Sequence, residues 1–155
     1  MIRLTKMVVD VLDAAMARLL PKRVEEEASH IRTGRKGEEL AYFWLRQRGY
    51  VIIARNWRSV RRRGEVDLIG WEDGELCFIE VKTRTTRAVK PAEAAVDRDK
   101  QYELVGMARE YMRRMPSETV TRFDVVSVYF CAGEEPDVQL FKNAFGWKFG
   151  KQANL

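Results

Sequence analysis

Gly64-Glu65-Val66-Asp67-Leu68-Ile69, the turn Glu72-Asp73-Gly74-Glu75, and Phe78-Ile79-Glu80-Val81-Lys82 form the stretch that decides the fold. Asp-Gly between apolar runs is a strong signal for a two-residue hairpin loop, because both loop residues must adopt left-handed backbone angles. With Asp73-Gly74 as that loop, Glu72 pairs with Glu75 and Asp67 falls opposite Glu80. Glu65 then falls opposite Lys82. Side chains alternate along a strand, so these four share one face. Val66, Leu68, Cys77, Ile79 and Val81 line the other face as core. Two carboxylates about 5 Å apart repel by roughly 3 kcal/mol at an effective dielectric near 20. A divalent cation is the natural compensation, and hard oxygen ligands suit magnesium or manganese.

Outward from the hairpin, helical and extended patterns alternate. Residues 4–20 carry Val8, Val9, Leu12, Ala15, Met16, Leu19 and Leu20 at helical spacing, an appended arm whose stripe suits docking on the domain or on a second chain. Pro21 and the charged run Lys22–Glu27 are expected to end or kink it. A second helix is expected over 33–48, burying Leu40, Ala41, Phe43, Trp44 and Leu45, with Gly49 as its cap. Tyr50–Trp57 reads as the first strand, and the hairpin supplies the next two. Thr83–Ala95 reads as loop. Asp97–Met115 reads as a third helix with Leu104, Val105, Ala108, Tyr111, Met112 and Met115 on one side. Phe123–Phe130 is expected as strand four and Val138–Phe141 as a short fifth. This order predicts an α/β domain, a mixed sheet flanked by helices, over 32–150, preceded by a helical arm over 1–31.

Composition is consistent with one domain of ordinary core size. The chain has 155 residues, and Lys plus Arg exceed Asp plus Glu to give +5, a modest excess that permits a polyanionic partner. Cys77 and Cys131 lack metal-ligand spacing, so a reduced, cytoplasmic chain is expected. Asp10, Asp13 and Arg18 interrupt the apolar start, which argues against a secretory leader, and no apolar run approaches membrane-spanning length.

The chemistry concentrates on Asp67, Glu80 and Lys82. A phosphodiester hydrolase needs acids to hold a metal near the scissile phosphate and a positive group to orient or activate the attacking water. Phe78, Ile79 and Val81 flank Glu80 and Lys82, so this strand reads as central, where ionisable groups are seldom left unpaired. The competing reading is a surface hairpin in which Glu65 pairs with Lys82 and Asp67 meets an arginine. Arg58, Arg61, Arg62 and Arg63 form a basic loop at the acid-bearing end of the hairpin, suited to phosphates or merely to solvent. Arg84, Lys100 and Gln101 are further candidates for nucleic-acid contact.

Gly34-x-x-Gly37-Glu38-x-x-Ala41, Ala54-Arg55-Asn56-Trp57-Arg58, the two hairpin strands through Arg84, Arg122-Phe123-Asp124-Val125-Val126 and Ala144-Phe145 together resemble the YraN family. That family resembles the PD-(D/E)XK superfamily, the fold of restriction endonucleases and Holliday-junction resolvases. The resemblance implies a restriction-endonuclease-like fold and a metal-dependent DNA endonuclease, on branched or single-stranded DNA. It matches Asp67, Glu80 and Lys82 to the superfamily signature and Glu38 to its first-helix acid. Asp67, Glu80, Glu38 and the Val81 carbonyl would then be metal ligands, for Mg2+ or Mn2+. On position alone Glu38 is an acid in the first turn of its helix, favoured there by the macrodipole. Glu65 stands open between partner of Lys82 and outer metal ligand. Related nucleases often dimerise to cut two strands, and the first helix offers an interface. The alternative function is a nucleic-acid-binding module that keeps the fold and does no chemistry.

Overall fold

The computed structural model describes residues 22–88 and 96–147; the helix expected over 4–20 lies outside them. The chain divides between Arg35 and Lys36 into two compact units, and the sheet belongs to the second. Helix α1, Lys22–Arg46, starts well before the expected Thr33. Lys, Arg and Glu are good helix formers, so the charged run Lys22–Glu27 is helix rather than a break. The helix ends in a left-handed Gly49 (φ 93°), with Tyr50 N–H bonded back to the Leu45 carbonyl at 3.2 Å.

Five strands follow the expected order, interrupted by one helix. They are β1 (Val51–Trp57), β2 (Val66–Glu72), β3 (Glu75–Arg84), then helix α2 (Arg98–Met112), then β4 (Thr121–Tyr129) and β5 (Asp137–Phe145). β3 runs into the segment expected as loop, and β5 is longer than expected. In the sheet the strands lie in sequence order, with β3 and β4 parallel and the other neighbours antiparallel. The turn is as expected: Glu72 pairs with Glu75, and Asp73 (φ 50°) and Gly74 (φ 81°) are both left-handed.

Each sheet face carries its own core. Ala41 and Leu45 of α1 pack on Leu68, Cys77, Ile79 and Val81. Phe43, expected inside, is 51 % exposed. On the opposite face Leu104, Val105, Met107 and Ala108 of α2 pack on Ile69, Leu76, Phe78 and Phe123. Val66 belongs to this second core, not to the face of Leu68 as strict alternation requires. Its partner Trp57 does the same: Arg55 stacks over Tyr42 of α1, yet Trp57 meets Tyr111 of α2 edge-on. Asn56 between them has φ 47°, and this left-handed step turns the chain over. The two strands thus change face together at the end of the sheet that holds the acids.

Candidate functional site

The β2–β3 register ends at Leu68–Ile79; one step further it places Asp67 across from Glu80. In a ladder continued past that point, Val81 N–H would meet the backbone of Val66. It donates instead to Asp67 Oδ2 at 2.7 Å. The carboxylate therefore takes the place of a main-chain acceptor where β2 diverges from β3, and this locks the side chain against its neighbour. Asp67 is 8 % exposed and Glu80 3 %. Burial first, and the Glu80 charge second, push the Asp67 carboxyl up to about 7; the Val81 N–H pulls the other way, and Glu38 adds to the rise.

Lys82 lies two residues beyond Glu80 and donates to Glu80 Oε1 at 2.6 Å. Lys100, in the first turn of α2, stands 3.5 Å from Glu80 Oε2 and 2.9 Å from Glu103 Oε1. Asp97 caps that helix through the Lys100 N–H at 2.8 Å, which fixes where the Lys100 backbone sits. Sequence reading placed Lys100 among nucleic-acid contacts; the structure joins it to the acids. No motif marks it, since α2 reaches Glu80 only through the fold. Glu80 Oε2 makes no hydrogen bond although it is buried. Glu38 enters from α1, which approaches β3 closely because residue 37 is glycine: a Cβ there would stand 2.0 Å from Thr83 Oγ1. Glu38 Oε2 accepts from Asn56 Nδ2 at 3.0 Å.

The other candidates separate. Glu65 lies before β2 and pairs with Arg58 at 2.7 Å, not with Lys82, because the strands have already diverged. Gln101 is half-buried and donates from Nε2 to the Val96 carbonyl at 2.8 Å. Arg61 faces Glu110 at 3.8 Å. The side chain of Arg62 lies over Gly106 of α2, where a Cβ would stand 2.7 Å from its guanidinium. Arg58, Arg62 and Arg63 border an open cavity of about 500 Å³ lined also by Glu65, Lys100 and Glu103. Arg84 ends β3.

Sequence reasoning missed a second buried network, on the α1 face toward the hairpin turn. Asp124 is fully buried and accepts from Tyr50 Oη (3.1 Å), Arg122 Nε (3.0 Å) and Asn143 N–H (2.9 Å). Arg122 also binds Glu72 and Glu75. Its signal was Arg122 and Asp124 alternating with apolar residues in a central strand.

As to a metal, the donor chemistry fits. Two buried carboxylates face each other, Glu80 keeps an oxygen that makes no hydrogen bond and has only the Lys100 ammonium 3.5 Å away, and the Asp67 carboxyl is raised to about 7. Among the described residues no three Asp, Glu, His or Cys side chains form a ready-made cage. Glu38 is occupied by Asn56, and the two lysines supply the positive charge on Glu80.

Fold and site together define an α/β domain with an acid–acid–lysine cluster where its central strands diverge. Residues 37–128 match the model of the uncharacterised protein family UPF0102, and the chain belongs to that family, the YraN family of the sequence analysis. It is similar to a UPF0102 protein of Koribacter versatilis, 50 % identical over 91 % of this chain and 94 % of the relative. One from Solibacter usitatus is 42 % identical over 72 % and 84 %. One from Porphyromonas gingivalis is 41 % identical over 76 % and 87 %. No helix among the described residues is long and apolar enough to cross a membrane.

Proposed function

We propose that the protein is a metal-dependent DNA endonuclease with a restriction-endonuclease-like fold of the PD-(D/E)XK kind. The observation that carries this is the pairing of buried Asp67 with buried Glu80 beside Lys82, at the end of the sheet where the basic loop sits. In this reading Asp67, Glu80 and the Val81 carbonyl would hold Mg2+ or Mn2+, with Glu38 as the outer member. The ion would stabilise charge building on the phosphate. Lys82 orients the water that attacks phosphorus, and breaking the P–O ester bond leaves a phosphate monoester and a hydroxyl. The arginines of the loop bind phosphates beside the cut. Branched and single-stranded DNA are the substrates to try first.

The second reading is a nucleic-acid-binding module without chemistry. It is favoured by Glu80 already lying against two ammonium groups. Incubating the pure protein with manganese and linear, single-stranded, flap and four-way DNA separates the two. Cleavage that disappears in Lys82→Ala supports the nuclease. DNA bound but left intact across the panel supports the module.

A further inference from the structure

Lys100 belongs to two neighbourhoods at once. Its ammonium lies 3.5 Å from Glu80 Oε2 in the acid cluster and 2.9 Å from Glu103 Oε1. It also lines the cavity that Arg58, Arg62 and Arg63 border. Within the cavity wall, Arg58 is neutralised by Glu65, and Lys100 by Glu103 and Glu80. Arg62 and Arg63 have no carboxylate partner among the described residues, which leaves the wall with positive charge to spare. Its shape is held by glycines: Gly64 has φ 103° and Cβ space already filled by Glu103, and Gly106 makes room for Arg62.

We propose that this cavity binds a phosphate group of a nucleic-acid strand, and that Lys100 makes phosphate binding there and cation binding at Asp67 and Glu80 promote each other. The inference rests on the metal-dependent reading above and deepens it. A divalent cation on Glu80 takes the oxygen that Lys100 faces and repels the ammonium. Lys100 then turns to the cavity, where, shared only with Glu103, it adds positive charge to that of Arg62 and Arg63. A phosphate in the cavity draws Lys100 the same way and uncovers Glu80 Oε2 for the cation. Linkage requires the two effects to be equal in size. One ammonium gained at contact distance from a phosphate corresponds to about a tenfold gain in affinity for each ligand, within the usual range of such couplings.

The test is binding, read by fluorescence anisotropy of a labelled decanucleotide with chelator and with saturating calcium. Calcium binding itself is followed by calorimetry. One oligonucleotide carries a 5′-phosphate and the other a 5′-hydroxyl, so a terminal and an internal phosphate are told apart. Wild type should bind about tenfold more tightly with calcium. Lys100→Met should lose the enhancement, binding with equal affinity in chelator and in calcium. Lys100→Arg, which keeps the charge, should retain some of it and guards against a folding defect. Arg62→Ala with Arg63→Ala should lose most binding in both conditions. A preference of about tenfold for the 5′-phosphate assigns the cavity to strand ends; equal binding assigns it to internal phosphates. Full enhancement in Lys100→Met, or unimpaired binding in the double arginine variant, overturns the proposal. Calcium bound by calorimetry without enhancement overturns it and leaves the nuclease reading standing. No calcium, magnesium or manganese bound by calorimetry removes both.

Discussion

Replacing Asp67 by asparagine should make the cation-free protein more stable at pH 8. Burial and the Glu80 charge move the Asp67 carboxyl from 3.8 to about 7. At about 1.4 kcal/mol per pH unit, ionised Asp67 costs the native state on the order of 4 kcal/mol above that pH. Between those two values the native state keeps a proton that the unfolded chain has released. Stability therefore falls as pH rises through this window, and the cost is absent below it. Asparagine cannot ionise, and its oxygen still accepts from Val81 N–H. The Val81 bond to the charged form is already part of that shift, so the gain is about 4 kcal/mol at pH 8, or roughly 8–16 °C in melting temperature for a domain of this size. Thermal unfolding with chelator at pH 8 and pH 5 measures it, and the advantage should fall to less than half at pH 5. Excess magnesium or manganese should raise the melting temperature of the wild type, by about 2.7 kcal/mol of stability at a hundredfold excess over Kd, and leave the variant nearly unchanged. An Asp67→Asn protein less stable at pH 8 in chelator, or an advantage equal at both pH values, would mean that Asp67 carries no costly buried charge.

Three other outcomes are expected. Arg61→Ala, Arg62→Ala and Arg63→Ala together should lower the slope of log DNA affinity against log salt by about 2, since each released phosphate contact is worth about 0.9 and Arg61 already faces Glu110. An unchanged slope in the triple variant moves the DNA surface elsewhere. Gly37→Ala should cost about 1–3 kcal/mol in denaturant unfolding, because its Cβ meets Thr83, and adding Thr83→Ala should recover some of that loss; a harmless Gly37→Ala would mean that α1 shifts freely. Arg122→Met should cost about 3–5 kcal/mol in the same assay by taking the cation from fully buried Asp124, while Glu72 keeps Lys142; a cost under 1 kcal/mol would show that the network is not held by its charges.

The hairpin was legible because local chemistry dictates it: Asp73-Gly74 sets the register, and the register sets which acids meet. The helix α2 was legible from the spacing of its apolar side. What the sequence concealed was longer in range. Alternation alone puts Val66 with Leu68, and only the left-handed Asn56 on a neighbouring strand explains why it does not. Glu65 was expected to face Lys82, yet the strands diverge before that pair is reached. Lys100 and Glu80 are separated by a connection whose path no local pattern reveals, so their meeting is a product of topology. The Arg122–Asp124 network was hidden in a motif that reads as an ordinary buried strand, because its partners come from the hairpin turn, from Tyr50 and from β5.

The bond from Val81 N–H to Asp67 Oδ2 has a consequence for observation. An amide proton given to a carboxylate in place of a peptide carbonyl resonates far downfield, and it senses directly whether that oxygen carries a negative charge, a proton or a metal ion. The Val81 resonance in a nitrogen-15 correlation spectrum is therefore a single-atom gauge of the acid cluster, readable without substrate or turnover, and its titration reports the Asp67–Glu80 pair from the Asp67 side.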